Sequence, residues 1–248
     1  MKKYKYVVVS GCSFSASNVD PTHFQPEIVN PDETYGDLIA EYFGAKFYNL
    51  AKSAGSFPRM NRKILEWCAK NKNKFNDTLI ILGMTSLERM EIWSNGTNKW
   101  FNDPDHLQEI SGKSTVFKHT YPRKERKRFF MNFYNEYAQF LLATNMLIGL
   151  QSFLTLNNID HVFFDAFTRQ INPIFEDIPT IQHGPIWFAK NVGNNLVSQE
   201  NWYIHPEYES MRDFTGKNPK MRISKNDMHP NKEAHKYWAE HLIEYINE

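Results

Sequence analysis

The sequence predicts an α/β protein, a three-layer α/β/α sandwich around a mainly parallel central sheet. Three observations predict it. The chain opens on a β-branched run, Lys5-Tyr-Val-Val-Val-Ser10, stopped by Gly11. A second unbroken apolar run, Thr78-Leu-Ile-Ile-Leu-Gly83, is again closed by glycine. Strands covered on both faces show such continuous apolar runs instead of strict alternation. Between and after these runs the apolar spacing changes to three and four, the period of amphipathic helices, and strands alternating with helices argue for a parallel sheet with helices on both sides.

The elements follow in order. After the first strand comes a polar, proline-containing loop over 17–32. Residues 34–43 place Leu38, Ile39, Tyr42 and Phe43 at helical spacing, with Gly44 as the expected stop. Residues 46–50 read as the second strand. Pro58 opens a further helix whose Met60, Ile64, Leu65, Trp67 and Cys68 share an apolar face, and the Lys/Asn-rich stretch 70–76 ends it. Residues 78–83 are the third strand. Residues 88–122 are aromatic, polar and irregular, too long for an ordinary connection, and are expected to form a lid or substrate-facing insertion. A long helical region over 124–156 feeds a fourth buried strand, 160–165. Residues 168–226, rich in Pro, Asn, Trp and Tyr, yield no assignable elements. A helix over 231–246, with Ala234, Tyr237, Trp238, His241, Leu242 and Tyr245 on one face, closes the chain. No repeat, low-complexity tract or linker-like composition shift divides it, so one domain over 1–248 is expected, with a flavodoxin-like sheet.

Composition narrows the function classes. At 248 residues, 41% hydrophobic and 15% aromatic, the chain can bury a sizeable core. A net charge of +1 and a pI near 7.8 carry no global signal for nucleic acid or an anionic membrane surface, and neither is expected as a partner. The two cysteines, Cys12 and Cys68, make neither a disulfide framework nor a CxxC site. The apolar run Val7-Val-Val9 is too brief for a signal peptide or a membrane span, so a cytoplasmic protein is expected, and the sequons at Asn76 and Asn95 read as chance. His23, His106, His119, His183 and His205 are scattered without metal-ligand spacing, and neither a phosphate loop nor a dinucleotide fingerprint is present. No metal and no cofactor is called for. The basic run 123–128 reads as the solvated start of a helix. Trp93, Trp100, Phe101, Trp187 and Trp202 fall in irregular segments, where they serve either as platforms for sugar rings or as loop anchors.

In an open parallel sheet the reactive groups gather at the carboxyl ends of the strands, so function is expected just after residues 10, 50, 82 and 165. Gly11-Cys-Ser-Phe14 follows the first strand, Asn49-Leu-Ala-Lys-Ser-Ala-Gly55-Ser56 the second, and Gly83-Met-Thr-Ser86 the third; Asp227-Met-His229-Pro230-Asn231 precedes the last helix. Together these stretches resemble the SGNH/GDSL hydrolase family, whose blocks are a GDS-like turn holding the nucleophile, a glycine after strand two, a GxND segment after strand three and a DxxHP segment before the last helix. The resemblance runs over 7–241.

Carried over residue by residue, the resemblance implies Ser13 as nucleophile, His229 as base, and the amides of Ser13 and Gly55 as donors to an oxyanion. A serine hydroxyl attacks an acyl carbon only when a neighbouring imidazole takes its proton, and the oxyanion that forms needs fixed donors. Three positions depart from the pattern. Cys12 stands where the family has Asp, and is an alternative attacking group. Thr85 replaces the GxND asparagine, which makes its hydroxyl a candidate oxyanion donor, with Ser86 and Arg89 beside it as candidate substrate-binding residues. Asn226 occupies the place of the acid in DxxH, and Asp227 lies only two residues before the histidine. Asp227 is the expected partner of His229, because residues i and i+2 of an extended segment face the same side. Pairing with Asn226, or a capping role for either residue at the last helix, stays open.

The expected function is a serine esterase acting through an acyl-Ser13 intermediate on a small-molecule or carbohydrate ester, such as an O-acetylated sugar. The alternatives are a catalytically impaired glycan-binding or interaction module, and an acyltransferase. The oligomeric state is left open.

Overall fold

The computed structural model describes residues 3–16, 33–53, 55–85, 92–94, 99–101, 136–167 and 196–248, with the backbone course alone for 92–94, 99–101 and 136–140. Five strands form one parallel sheet: β1 (Tyr6–Ser10), β2 (Lys46–Asn49), β3 (Thr78–Met84), β6 (Asp160–Asp165) and β7 (Trp202–Tyr203). Their order, β2-β1-β3-β6-β7, is that of a flavodoxin-like sheet. Val8 sits in register between Tyr48 on one side and Ile80 on the other.

Burial accounts for the central strands. Val7, Val8 and Val9 of β1 and all seven residues of β3 are buried, because helices cover both faces of the sheet. Each such aliphatic side chain contributes about 1.5–3 kcal/mol when removed from water. The covering helices are α1 (Tyr35–Phe43), α2 (Phe57–Lys70), α3 (Glu136–Leu156) and α5 (Lys232–Asn247), with α1 packed against α5 and α2 against α3. The fold is thus the expected three-layer α/β/α sandwich.

Helix ends sit where local chemistry puts them. The Thr34 N–H and hydroxyl both donate to the Asp37 carboxylate (2.8 and 2.7 Å), and Gly44 closes α1 at φ 63°, a left-handed conformation suited to glycine. Ser56 caps α2 and Asn231 caps α5, each accepting a backbone N–H from three residues ahead. Asn231 therefore does the capping that the sequence also allowed for Asp227 or Asn226. The 70–76 stretch, expected to end α2, continues as a 3-10 helix, Lys72–Asp77, that delivers the chain to β3.

The stretch 168–226 is ordered where it is described. It holds β7, the short helix α4 (Met211–Lys217), a 3-10 turn (Pro219–Met221) and β8 (Arg222–Ser224), which pairs antiparallel with β9 (Asp227–Pro230). Trp202, expected in an irregular segment, is a sheet residue; it is only 3% exposed and stacks on Phe163 at 5.7 Å, so it belongs to the core and not to a sugar platform. Within the 88–122 insertion, β4 (Ile92–Ser94) and β5 (Lys99–Phe101) form a two-stranded antiparallel ladder that carries Trp93, Trp100 and Phe101. Trp187, the basic run 123–128, and His23, His106, His119 and His183 lie outside the described residues. Among the described residues no helix is long and apolar enough to cross a membrane, and no group of three or more His, Cys, Asp or Glu is placed to hold a metal ion.

Candidate active site

The carboxyl end of β1 leads straight into a turn built on Cys12, whose carbonyl accepts the N–H groups of Ser15 (3.0 Å) and Ala16 (3.1 Å). Glycines make the turn possible. A Cβ on Gly11 would lie 2.2 Å from the Ser15 hydroxyl, and one on Gly83 of β3 would lie 2.7 Å from the same oxygen. A Cβ on Gly55 would meet the carbonyl oxygens of Gly11 and Lys52, both at 2.9 Å. The loop after β2 thus rests directly on the turn after β1, and the Lys52 N–H donates to the Gly11 carbonyl (3.2 Å). Asn49 joins the two again, its Nδ2 donating to the Ser15 carbonyl (3.1 Å) and its Oδ1 accepting the Ala51 N–H (2.9 Å).

Two features fix the turn from below. The buried Tyr35 hydroxyl donates to Ser15 Oγ (2.8 Å), and burial pushes the Tyr35 phenol above its ordinary value, so that it stays protonated. The Tyr35 N–H donates to Nδ1 of His235 on α5 (3.3 Å). Burial foremost, and then the charge of His229, push His235 down to about 3, which keeps this imidazole a neutral acceptor.

His229 arrives from the other end of the chain on β9. That strand is held by α4: the Thr215 hydroxyl donates to the Met228 carbonyl (2.7 Å), and Arg222 Nε of β8 donates to the Thr215 carbonyl (2.7 Å). Asp227 and His229 share one face of the strand, and Asp227 Oδ1 accepts both the His229 N–H (2.9 Å) and the ring Nδ1–H (2.5 Å). With its proton on Nδ1, the imidazole turns its Nε2 lone pair to the Ser13 hydroxyl, 2.7 Å away. Phe14 covers the ring, with centroids 4.9 Å apart at 36°. Burial alone would raise the Asp227 carboxyl; the ring hydrogen bond, the imidazole charge and the backbone N–H of His229 together outweigh it and hold the carboxyl below its ordinary value. A carboxylate, an imidazole of defined tautomer and a hydroxyl in line can move one proton from oxygen to nitrogen and stabilise the imidazolium that results.

The structure therefore brings Ser13, His229 and Asp227 together. Asn226 is exposed in the turn between β8 and β9. Cys12 is fully buried in the hydrophobic core, and the His229 nitrogen faces Ser13 instead. Among the described residues the Ser13 N–H has no acceptor. The Gly55 N–H closes a turn on the Lys52 carbonyl (2.9 Å), and Thr85 is fully buried just past the end of β3. Ser86 and Arg89 lie outside the described residues. The roles of Phe14, Ser15, Tyr35 and His235 were not read from the sequence; their partners stand between 20 and more than 200 residues away, and no local pattern announces such contacts.

A cavity of about 280 Å³ opens at the carboxyl ends of β6 and β7, lined by Asp165, Tyr203, His205, Tyr208 and Ser210 among others. A larger one, about 610 Å³, lies at the opposite edge of the sheet around the amino ends of β3 and β6, away from the Ser13–His229 pair.

Comparison with known proteins agrees with the architecture. A solved structure of a catalytic mutant of Axe2, an acetylxylan esterase from Geobacillus stearothermophilus, matches over 100% of this chain and 96% of its own, with 10% identity and a TM-score of 0.50. A GDSL-like lipase of Parabacteroides merdae matches over 100% and 97%, with 13% identity and a TM-score of 0.49. A carbohydrate esterase matches over 100% and 70%, with 15% identity and a TM-score of 0.45. At such identities the likeness to Axe2 shows a common fold and nothing finer. No curated protein matches the chain. A family model does, over residues 25–247, and by that match the chain belongs to DUF6071, a family of unknown function.

Proposed function

We propose that this protein is a serine esterase that cleaves a small acyl ester, such as an O-acetyl group on a carbohydrate. The observation that carries the proposal is the 2.7 Å approach of His229 Nε2 to Ser13 Oγ, with Asp227 behind the ring. Two chain segments 216 residues apart are brought into the arrangement that acyl transfer requires.

The reaction has two halves. Ser13 Oγ attacks the acyl carbon as its proton passes to His229 Nε2, and Asp227 stabilises the imidazolium. The tetrahedral oxyanion takes a hydrogen bond from the Ser13 N–H, with the Thr85 hydroxyl as a further candidate donor. Gly55 joins them only if the turn on Lys52 opens. His229 then protonates the departing alcohol, leaving acyl-Ser13. Water attacks this ester, gives its proton to His229, and the acid departs while Ser13 recovers its hydrogen. The acceptor in the second half decides between a hydrolase and an acyltransferase.

The test is direct. Purified protein is expected to hydrolyse p-nitrophenyl acetate and to label with a fluorophosphonate, Ser13→Ala to abolish both signals, and Cys12→Ala to leave them. Labelling that survives Ser13→Ala overturns the proposal. Folded protein that binds acylated glycans without turning them over would instead support the impaired, glycan-binding reading.

A further inference from the structure

We infer that Arg212 forms an anion-recognising subsite beside the Ser13–His229 pair and selects esters that carry a carboxylate. This inference rests on the esterase reading and names its substrate class.

The argument starts from the surroundings of the guanidinium. Arg212 stands in the first turn of α4, and its backbone N–H donates to the Ala166 carbonyl (3.0 Å), just past the end of β6. Its position is thereby tied to the carboxyl end of the sheet, where the site lies. The side chain is half-buried and lies flat over Phe167, with the guanidinium carbon 4.2 Å from the ring centroid. Phe167 in turn meets Phe14 edge-to-face at 5.7 Å, and Phe14 covers the His229 imidazole at 4.9 Å. A continuous chain of ring contacts therefore runs from the imidazole through the buried Phe14 to Phe167 and the guanidinium.

Among the described residues the Arg212 guanidinium has neither a carboxylate nor a carbonyl partner, and it lies against the Phe167 ring. Two other described arginines, Arg222 and Arg59, are consumed structurally. Arg222 donates to the carbonyls of Thr215 and Gly216, and Arg59 to that of Leu50. A ring face holds a guanidinium in place while leaving its in-plane N–H donors open, and those donors match a carboxylate in a two-pronged geometry. The part-exposed Phe167 ring supplies apolar surface for the body of the ligand between charge and ester. The chemistry that completes the site is a substrate whose carboxylate sits a ring's breadth or more from the acyl carbon, as in an acylated sugar acid or a hydroxy-acid ester.

The experiment uses two esters that differ only in charge, 4-acetoxybenzoate and its neutral counterpart 4-acetoxybenzamide. The wild-type protein is expected to prefer the carboxylate. Arg212→Gln is expected to lower kcat/KM for 4-acetoxybenzoate by about 10- to 100-fold, mainly through KM, with the benzamide ester within about twofold of wild type. Arg212→Lys should recover part of the loss, and added salt should shrink the preference. Equal losses on both esters, or none on either, overturn the inference while leaving the esterase reading intact. A second arm needs no turnover: calorimetric binding of 4-hydroxybenzoate to wild type and to Arg212→Gln. Should neither ester be cleaved, binding that depends on Arg212 upholds the anion subsite while the esterase reading fails; binding indifferent to Arg212 sinks the subsite.

Discussion

One oxygen of Asp227 accepts two hydrogen bonds from the same residue, the backbone N–H of His229 at 2.9 Å and its ring Nδ1–H at 2.5 Å. The strand brings carboxylate and imidazole to one face, and the backbone contact prevents the carboxylate from turning away. Position, tautomer and charge are set by a single side chain.

Replacing Asp227 by Asn removes the charge and allows the amide to favour the wrong ring tautomer. In the serine proteases the matching change lowers turnover by about ten-thousand-fold. A loss of comparable order is expected in kcat on p-nitrophenyl acetate for Asp227→Asn, while Asn226→Ala stays within about twofold. The reverse ranking would assign the orienting role to Asn226.

The buried His235 makes stability depend on pH. Its folded value is pushed down to about 3 from an ordinary 6.5, so between those limits the unfolded chain binds a proton that the folded one refuses. Stability therefore falls as pH drops from about 6.5 toward 3, by on the order of a few kcal/mol. Asp227, held below its ordinary value, adds a loss in the same direction at the lower end of that range. His235→Gln keeps an acceptor for the Tyr35 N–H but cannot be protonated. Its melting temperature should fall less between pH 7 and 4 than that of the wild type, and parallel curves would contradict the argument.

The contact of Gly55 with the turn that holds Ser13 leaves no room for a methyl group. A Cβ there would lie 2.9 Å from two backbone oxygens, neither of which moves without moving its loop. Gly55→Ala is expected to cost about 1–3 kcal/mol of stability by denaturant unfolding. It should also lower turnover, because the Gly11 carbonyl that would be displaced belongs to the turn presenting Ser13.

Tyr35 and Ser15 share a buried hydrogen bond beneath that turn. Tyr35→Phe should destabilise the protein by about 1–3 kcal/mol, since Ser15 Oγ loses its donor. Ser15→Ala in the Tyr35→Phe background should add little, and a double-mutant cycle measures the difference. Additive effects would mean that the bond carries no coupling.

Both cysteines are buried, and burial pushes the Cys68 thiol up to about 12. Native protein should react with a thiol-specific disulfide reagent only on the timescale of unfolding, and the proposed turnover of p-nitrophenyl acetate should survive the exposure. Fast modification of Cys12 with loss of activity would reopen the case for a sulfur nucleophile.

The sheet and its helices were legible in the sequence because their signals are local. Val7, Val8 and Val9 and the run from Leu79 to Leu82 had to be strands covered on both faces, and Gly44 marks a helix end by its own backbone chemistry, whereas the Ser56 cap, one residue before the α2 start, was not read. The Ser13–His229 pair could also be named in advance, through the resemblance of the stretches around both residues to the SGNH/GDSL blocks; the strand-end argument pointed only to the turn after β1 that holds Ser13. The stretch 168–226 was opaque for the opposite reason. A two-residue strand such as β7 has no period, and Trp202 is a strand residue only because β6 stands beside it. The sequence favoured Asp227 over Asn226 as the partner of the imidazole and left the choice open; tertiary structure alone decided that the Gly55 amide is engaged by Lys52 and that Arg212 rests on Phe167. A hydrogen bond's direction and a ring's neighbour depend on how distant segments settle against one another, and composition and periodicity carry no record of that.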